Sequence, residues 1–329
     1  MSAGKVIRPA TITIANDAMR VVVAPTLGGK ILSLQSRRTG REWLWSNPHL
    51  TLRSIPKEPS DFGQYDFGGW DEIFPSVAPC SARESAWGSR QITDHGLLWH
   101  RPWSCVDATE SKASGHKGDA VALCVDDPTL PFRFERSLTL SPGTGPLIVE
   151  YILTNQGDSS LPYIWAAHPL VAVAAGMTID LPVGTHMAVS GCVGFEMPSR
   201  ETTFIWPVLE LKDGKSIDFS QVPDATAAIA AKLFTGRLVE GWVQVINENA
   251  NESLRMSFDA NVIPHVGMWA NYSAWSGVGT EPYFNCGIEP TTSPTDNLSC
   301  AILASQNAML PPSEARRWHL IVELVTGCI

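Results

Sequence analysis

Period-two alternation runs through this chain and constrains its fold more than any other feature. Phe132, Phe134, Leu138 and Leu140 alternate with Arg133, Glu135, Ser137 and Thr139. Leu147, Val149, Tyr151 and Leu153 repeat the pattern, as do Leu254, Met256 and Phe258, and again Trp318, Leu320, Val322 and Leu324. Alternation puts one set of side chains on one face of a sheet, the mark of half-buried antiparallel strands. Near the start, the apolar runs 11–14 and 19–23 flank Ala15-Asn16-Asp17-Ala18 and read as a hairpin. One stretch, from Asp224 to Phe234, is Ala-rich and reads as a short helix. No βαβ alternation, internal repeat or Gly/Ser linker interrupts the pattern, so the expectation is one all-β domain over residues 1–329. Two segments alternate poorly, Pro48 to Val77 and Gly184 to Val222. Long loops inside a compact domain are usually functional, so both are expected to wall a site.

Charge narrows the partners. The 24 Lys+Arg against 33 Asp+Glu give a net charge of −9, which argues against nucleic acid. Charged residues make up only 17% of the chain and Trp is abundant at 12, a balance that suits a neutral small ligand. Met1 to Arg20 holds no apolar signal core, and the run Ile164 to Met177, broken by His168 and Pro169, is too short to span a membrane. A cytoplasmic protein with no membrane partner is expected. The seven cysteines are scattered without a CxxC pair and read as mostly buried free thiols rather than a zinc site.

Three segments gather ionisable groups among Gly, Pro and Trp. In Gly69-Trp70-Asp71-Glu72, adjacent carboxylates on an extended chain point to opposite faces, so at most one of Asp71 and Glu72 reaches any one pocket. Either is as readily a solvated loop carboxylate. In Asp94-His95-Gly96, a tight backbone can present His95, and Asp94 can fix its tautomer. His100 and Arg101 follow and read equally well as surface groups. His168 lies in an apolar run, where a satisfied core histidine is the ordinary reading. Glu289, between Ile288 and Pro290, is a carboxylate that burial would suit to proton abstraction. No nucleophile elbow, phosphate loop or dinucleotide fingerprint occurs.

In order along the chain, these segments resemble the aldose 1-epimerases of the galactose mutarotase-like superfamily. Ala24 to Ile31, with Gly40 to Leu44, is similar to the family's opening hairpin. His95-Gly96 with Arg101-Pro102-Trp103 is similar to its first histidine motif, and His168-Pro169 to its second. Gly287-Ile288-Glu289-Pro290 with Pro294 and Asp296 resembles the late glutamate motif, and Leu310 to Glu314 the closing turn. The sugar-contact shell departs from the family pattern. Leu170 to Val173 replaces the aromatic run after His168-Pro169, Thr291 stands where Gln is usual, and Gly69 to Glu72 stands in place of an Asn-Arg pair.

The resemblance implies a large antiparallel β-supersandwich that interconverts the α and β anomers of a hexose or related sugar. It implies Glu289 as general base, His168 as general acid, and His95 as a donor polarising the sugar oxygen. Trp70, Asp71, Glu72, Arg101 and Trp165 are the expected sugar contacts, with Trp70, Trp99, Trp103 and Trp165 as stacking rings. No cofactor or metal is implied, and the protein is expected as a monomer or homodimer. Two other readings remain open: a carbohydrate-binding paralogue without catalysis, and a glycoside hydrolase pairing Glu289 with Asp71 or Glu72.

Overall fold

The computed structural model describes residues 6–57, 61–82, 85–106, 119–199 and 201–327. Among them two large antiparallel sheets dominate. The first has ten strands in the spatial order Ile12–Ala15, Met19–Ala24, Lys30–Ser36, Trp70–Ile73, Ala166–Val171, Phe284–Thr291, His265–Tyr272, Ile229–Thr235, His186–Val193 and Thr203–Ile205. The second has eight, in the order Thr178–Asp180, Trp242–Asn247, Glu252–Phe258, Ala315–Thr326, Leu147–Asn155, Phe132–Leu140, Asp119–Asp126 and Ser104–Cys105. Both hold strands from early and late in the chain. The alternating runs read from the sequence are strands, and the first hairpin pairs Ile12 with Val23.

The sheets face each other across one apolar core. Val21, Val23, Ile31 and Leu34 from the ten-stranded sheet share it with Phe134, Leu138, Val149, Leu320 and Val322 from the other. Each fully buried residue of this kind is worth about 1.5–3 kcal/mol of transfer free energy. A polar link crosses the same layer. Arg136 donates to Glu72 Oε1 at 3.0 Å and to the Gly29 carbonyl. Tyr151 donates to Glu72 Oε1 at 2.9 Å, and Trp165 Nε1 to Glu72 Oε2 at 3.0 Å. Glu72 and Arg136 have no exposed side-chain surface. Burial pushes the Glu72 carboxyl up to about 7 against the pull of Arg136, Tyr151 and Trp165.

Three expectations are corrected. The Ala-rich stretch is a single 3-10 turn, Ala225–Ala227, followed by the strand Ile229–Thr235. That strand pairs on both sides, and two ladders outweigh the helical preference of alanine. The segment from Gly184 to Val222 carries short strands, and none of its described residues lines the cavity described below. Of the cysteines, Cys124 and Cys286 are buried, Cys80 and Cys192 half-buried, and Cys105 and Cys300 exposed; Cys328 lies outside the described residues.

Candidate active site

The outer face of the ten-stranded sheet, away from the core, carries a cavity of about 430 Å³. Four adjacent strands supply its floor: Ala166–Val171, Phe284–Thr291, His265–Tyr272 and Ile229–Thr235. Residues two apart on a strand share a face. Asn285, Gly287 and Glu289 therefore project together, next to His168 and Leu170 on one side and Gly267 and Trp269 on the other. Gly267 lies directly opposite Glu289, and a Cβ there would stand 3.1 Å from Glu289 Oε2. The two glycines thus leave room for the glutamate side chain.

Glu289 is 1% exposed. Lys232 Nζ donates to its Oε2 at 2.6 Å and lies 3.5 Å from Asp296 Oδ1. Burial pulls the Lys232 ammonium down, but the charges of Asp296 and Glu289 outweigh it, and the group sits above its ordinary value. Glu289 Oε1 has no hydrogen-bond partner among the described residues and lies 3.8 Å from His168 Nε2.

His95 enters from the turn that follows the two-residue strand Gln91–Ile92. Its φ of 59° and that of Gly96, 77°, are both left-handed, so the chain turns sharply at this point. A Cβ on Gly96 would lie 2.2 Å from the Phe74 carbonyl oxygen, so only glycine fits. Asp94 Oδ1 meets His95 Nδ1 at 3.0 Å, as the sequence suggested. Phe62 stacks on the imidazole at 3.8 Å between centroids, and the His168 ring meets it edge-on at 5.1 Å. Burial lowers the His95 pKa, but the hydrogen bond and charge of Asp94, with Glu289 and Asp66, raise it above the ordinary value. His168 moves the other way. Burial, then the charges of His95, Lys232 and Lys30, hold it well below the usual range, so it is neutral near pH 7.

The structure brings Glu289, His168 and His95 to one cavity, and it keeps the five expected sugar contacts out of its lining. Asp71 lies opposite His168 on the same face but is covered there, 2% exposed and paired with Lys30. Glu72 points through to the core with Trp165. Trp70 is 1% exposed and Trp165 0%. Arg101 lies elsewhere, 3.7 Å from Asp127 and bonded to the Leu97 carbonyl. Trp99 and Trp103 are core residues too, although Trp99 backs Phe62 edge-on at 5.0 Å.

The rings that do line the cavity are Phe62, Trp269, Trp275 and Tyr283. Asp61, Phe62, Gly63, Asp66 and Val77 come from the first long loop segment, as expected for a wall. Lys232, Asn285, Trp269 and Trp275 were missed from sequence. Trp269 and Lys232 stand on strands at alternating positions, a signal shared with every other strand of the chain.

No protein-family model and no curated protein sequence matches the chain. Solved structures do. A galactose mutarotase-like protein from Clostridium acetobutylicum is 14% identical, with a TM-score of 0.64 over 96% of this chain and 95% of that one. A galactose mutarotase-like protein from Lactobacillus casei is 17% identical, with a TM-score of 0.60 over 96% and 100%. An aldose epimerase homologue from C. elegans is 13% identical, with a TM-score of 0.61 over 97% and 99%. At these identities the likeness is one of fold, and the chain has the galactose mutarotase-like β-sandwich.

Proposed function

We propose that this protein is an aldose 1-epimerase-like enzyme that interconverts the anomers of an aldose. One observation carries the reading: a buried carboxylate with one oxygen fixed by Lys232 and the other without a hydrogen-bond partner, beside two imidazoles at the cavity. Glu289 takes the proton of the anomeric hydroxyl while an imidazole protonates the ring oxygen. The C1–ring-oxygen bond breaks and leaves a free aldehyde and a new hydroxyl. After rotation about C1–C2 the hydroxyl attacks the other carbonyl face, and both protons return. Nothing is consumed, so the chemistry needs only two positioned proton transfers, each worth roughly 10²–10⁴-fold.

The family resemblance assigns the acid to His168. The electrostatics favour a second assignment. His168 is held neutral, whereas Asp94 keeps His95 the more readily protonated ring. In that reading His95 gives the proton and His168 donates a hydrogen bond. The hydrolase reading finds no support, because Asp71 and Glu72 are both engaged in buried ion pairs. A cytoplasmic location belongs to the same proposal; no helix of the described residues is long and apolar enough to cross a membrane.

Two-dimensional NMR exchange between anomers, across a panel of aldoses, tests the reading. Glu289→Gln is expected to lower the exchange rate by roughly 10²-fold or more. Whichever of His95→Ala and His168→Ala removes the acid should flatten the alkaline limb of the pH profile. Sugar binding by calorimetry with no exchange on any aldose would replace this reading with the binding-protein one.

A further inference from the structure

Asn285 is 1% exposed and lines the cavity, and neither Nδ2 nor Oδ1 has a hydrogen-bond partner among the described residues. Because both ends are unpaired, flipping the amide changes nothing. Its partner across the ladder, Asn271, makes the contrast. Asn271 is equally buried, but its Nδ2 donates to the Trp275 carbonyl at 3.0 Å and its Oδ1 accepts from the Trp275 N–H at 3.1 Å. One amide of this rung is spent on holding the Trp275 loop, and the other is left without a partner at the cavity wall. Buried polar groups are almost always paired, and one left unpaired in a cavity wants a ligand.

Asn285 and Glu289 stand at opposite ends of the same cavity floor. Asn285 and Glu289 lie four residues apart on the same face of a strand, about 13 Å between backbones. Gly287 stands between them, and a Cβ there would be 3.0 Å from Glu289 Oε1, so the carboxylate leans over this glycine toward Asn285. Trp269, opposite Gly287, rises beside the Glu289 carboxylate with Trp275 edge-on at 6.2 Å. A pyranose with its anomeric end at Glu289 thus turns one apolar face to Trp269 and its far edge to Asn285.

We infer that Asn285 is a specificity residue that reads adjacent hydroxyls on the far edge of the ring and restricts the site to sugars uncharged there. The inference rests on the aldose reading of this cavity and names its substrate class. A primary amide offers donors and an acceptor, and a vicinal diol answers both. A phosphate or carboxylate offers acceptors only and leaves the amide oxygen unpaired. Such an edge also meets a wall carrying Asp61, Asp66, Asp94 and Glu289, while Lys232 is already engaged by Glu289 and Asp296. Lining groups that satisfy a hydroxyl discriminate strongly against the analogue lacking it.

The test is calorimetric binding of D-galactose and D-glucose, their 3-, 4- and 6-deoxy analogues, their 6-phosphates and their uronic acids. Wild type is expected to bind a parent aldose about tenfold or more tighter than one of its deoxy analogues and than its charged derivatives. Asn285→Ala should weaken the parent and close the gap to that analogue. Asn285→Asp, nearly isosteric but without donors, should weaken the parent as well. An unchanged gap for every analogue in Asn285→Ala, or tighter binding of a phosphate or uronate, overturns the inference. Should the alanine variant not fold by circular dichroism, the Asn285 side-chain amide signals of wild type decide: they must shift with the parent and not with the analogue. The readout is binding, so a wild type that discriminates without exchanging anomers overturns the epimerase reading alone. Failure to bind any sugar of the panel overturns both.

Discussion

Glu72 and Glu289 are both sealed carboxylates, and their partners give them different work. Both oxygens of Glu72 are taken by Arg136, Tyr151 and Trp165, so it ties parts together. Glu289 keeps one oxygen free of a hydrogen-bond partner, and Lys232 fixes the direction in which it points. Replacing Lys232 with Met removes that hold. Anomer exchange is expected to fall by about tenfold or more, with Lys232→Arg retaining more of the rate because a cationic donor remains. His100 offers a stability measurement. Burial, then the charge of Arg101, lowers its pKa from 6.5 to about 4. Between these values the unfolded chain binds a proton that the folded chain does not, so the contribution of His100 is present above pH 6.5 and is lost as pH falls. By pH 5 the loss is roughly 2 kcal/mol. Chemical denaturation of His100→Asn is therefore expected to show a deficit at pH 7 that shrinks by about that amount at pH 5. A deficit that stays constant with pH would mean His100 is not held neutral.

At the scale of elements, the His95-Gly96 turn illustrates what a short motif encodes. Its acid, histidine and glycine could be read as a presenting turn because glycine tolerates the left-handed region and an adjacent carboxylate can hold the ring. Gly96→Ala brings a Cβ to 2.2 Å from the Phe74 carbonyl oxygen at a φ of 77°. Thermal denaturation should show a loss of about 2 kcal/mol or more. Exchange activity should fall further than stability does, because His95 moves with the turn. The strand Ile229–Thr235 is the opposite case. Its alanines read as helical, and that reading hid Lys232, which reaches the cavity only because the segment is extended between two neighbours.

Over the whole molecule, Arg136 joins the two sheets by reaching Glu72 and the Gly29 carbonyl from the opposite layer. Removing one member of a buried pair strands the other charge. Arg136→Ala is expected to cost about 3–5 kcal/mol, read from urea unfolding, and Glu72→Gln in the same chain should recover part of it. If the double variant were no more stable than the single one, the stranded carboxylate would not be the cause.

Alternation alone pointed to an all-β chain and located its most regular strands, because the two-residue period is a local property of the backbone. The order of the short motifs pointed to Glu289, His168 and His95, since turns and Pro- or Gly-flanked positions leave local signatures. Tertiary structure decided which face of each strand is core and which is cavity. Trp70, Trp99, Trp103 and Trp165 lie beside the motifs in sequence and yet are buried in the interior, whereas Trp269 and Trp275 line the cavity. Lys232 reaches Glu289, 57 residues further along the chain, only because their strands lie in one sheet with a single strand between them. Register across a ladder is set by the packing of both sheets together, and no single strand carries that information.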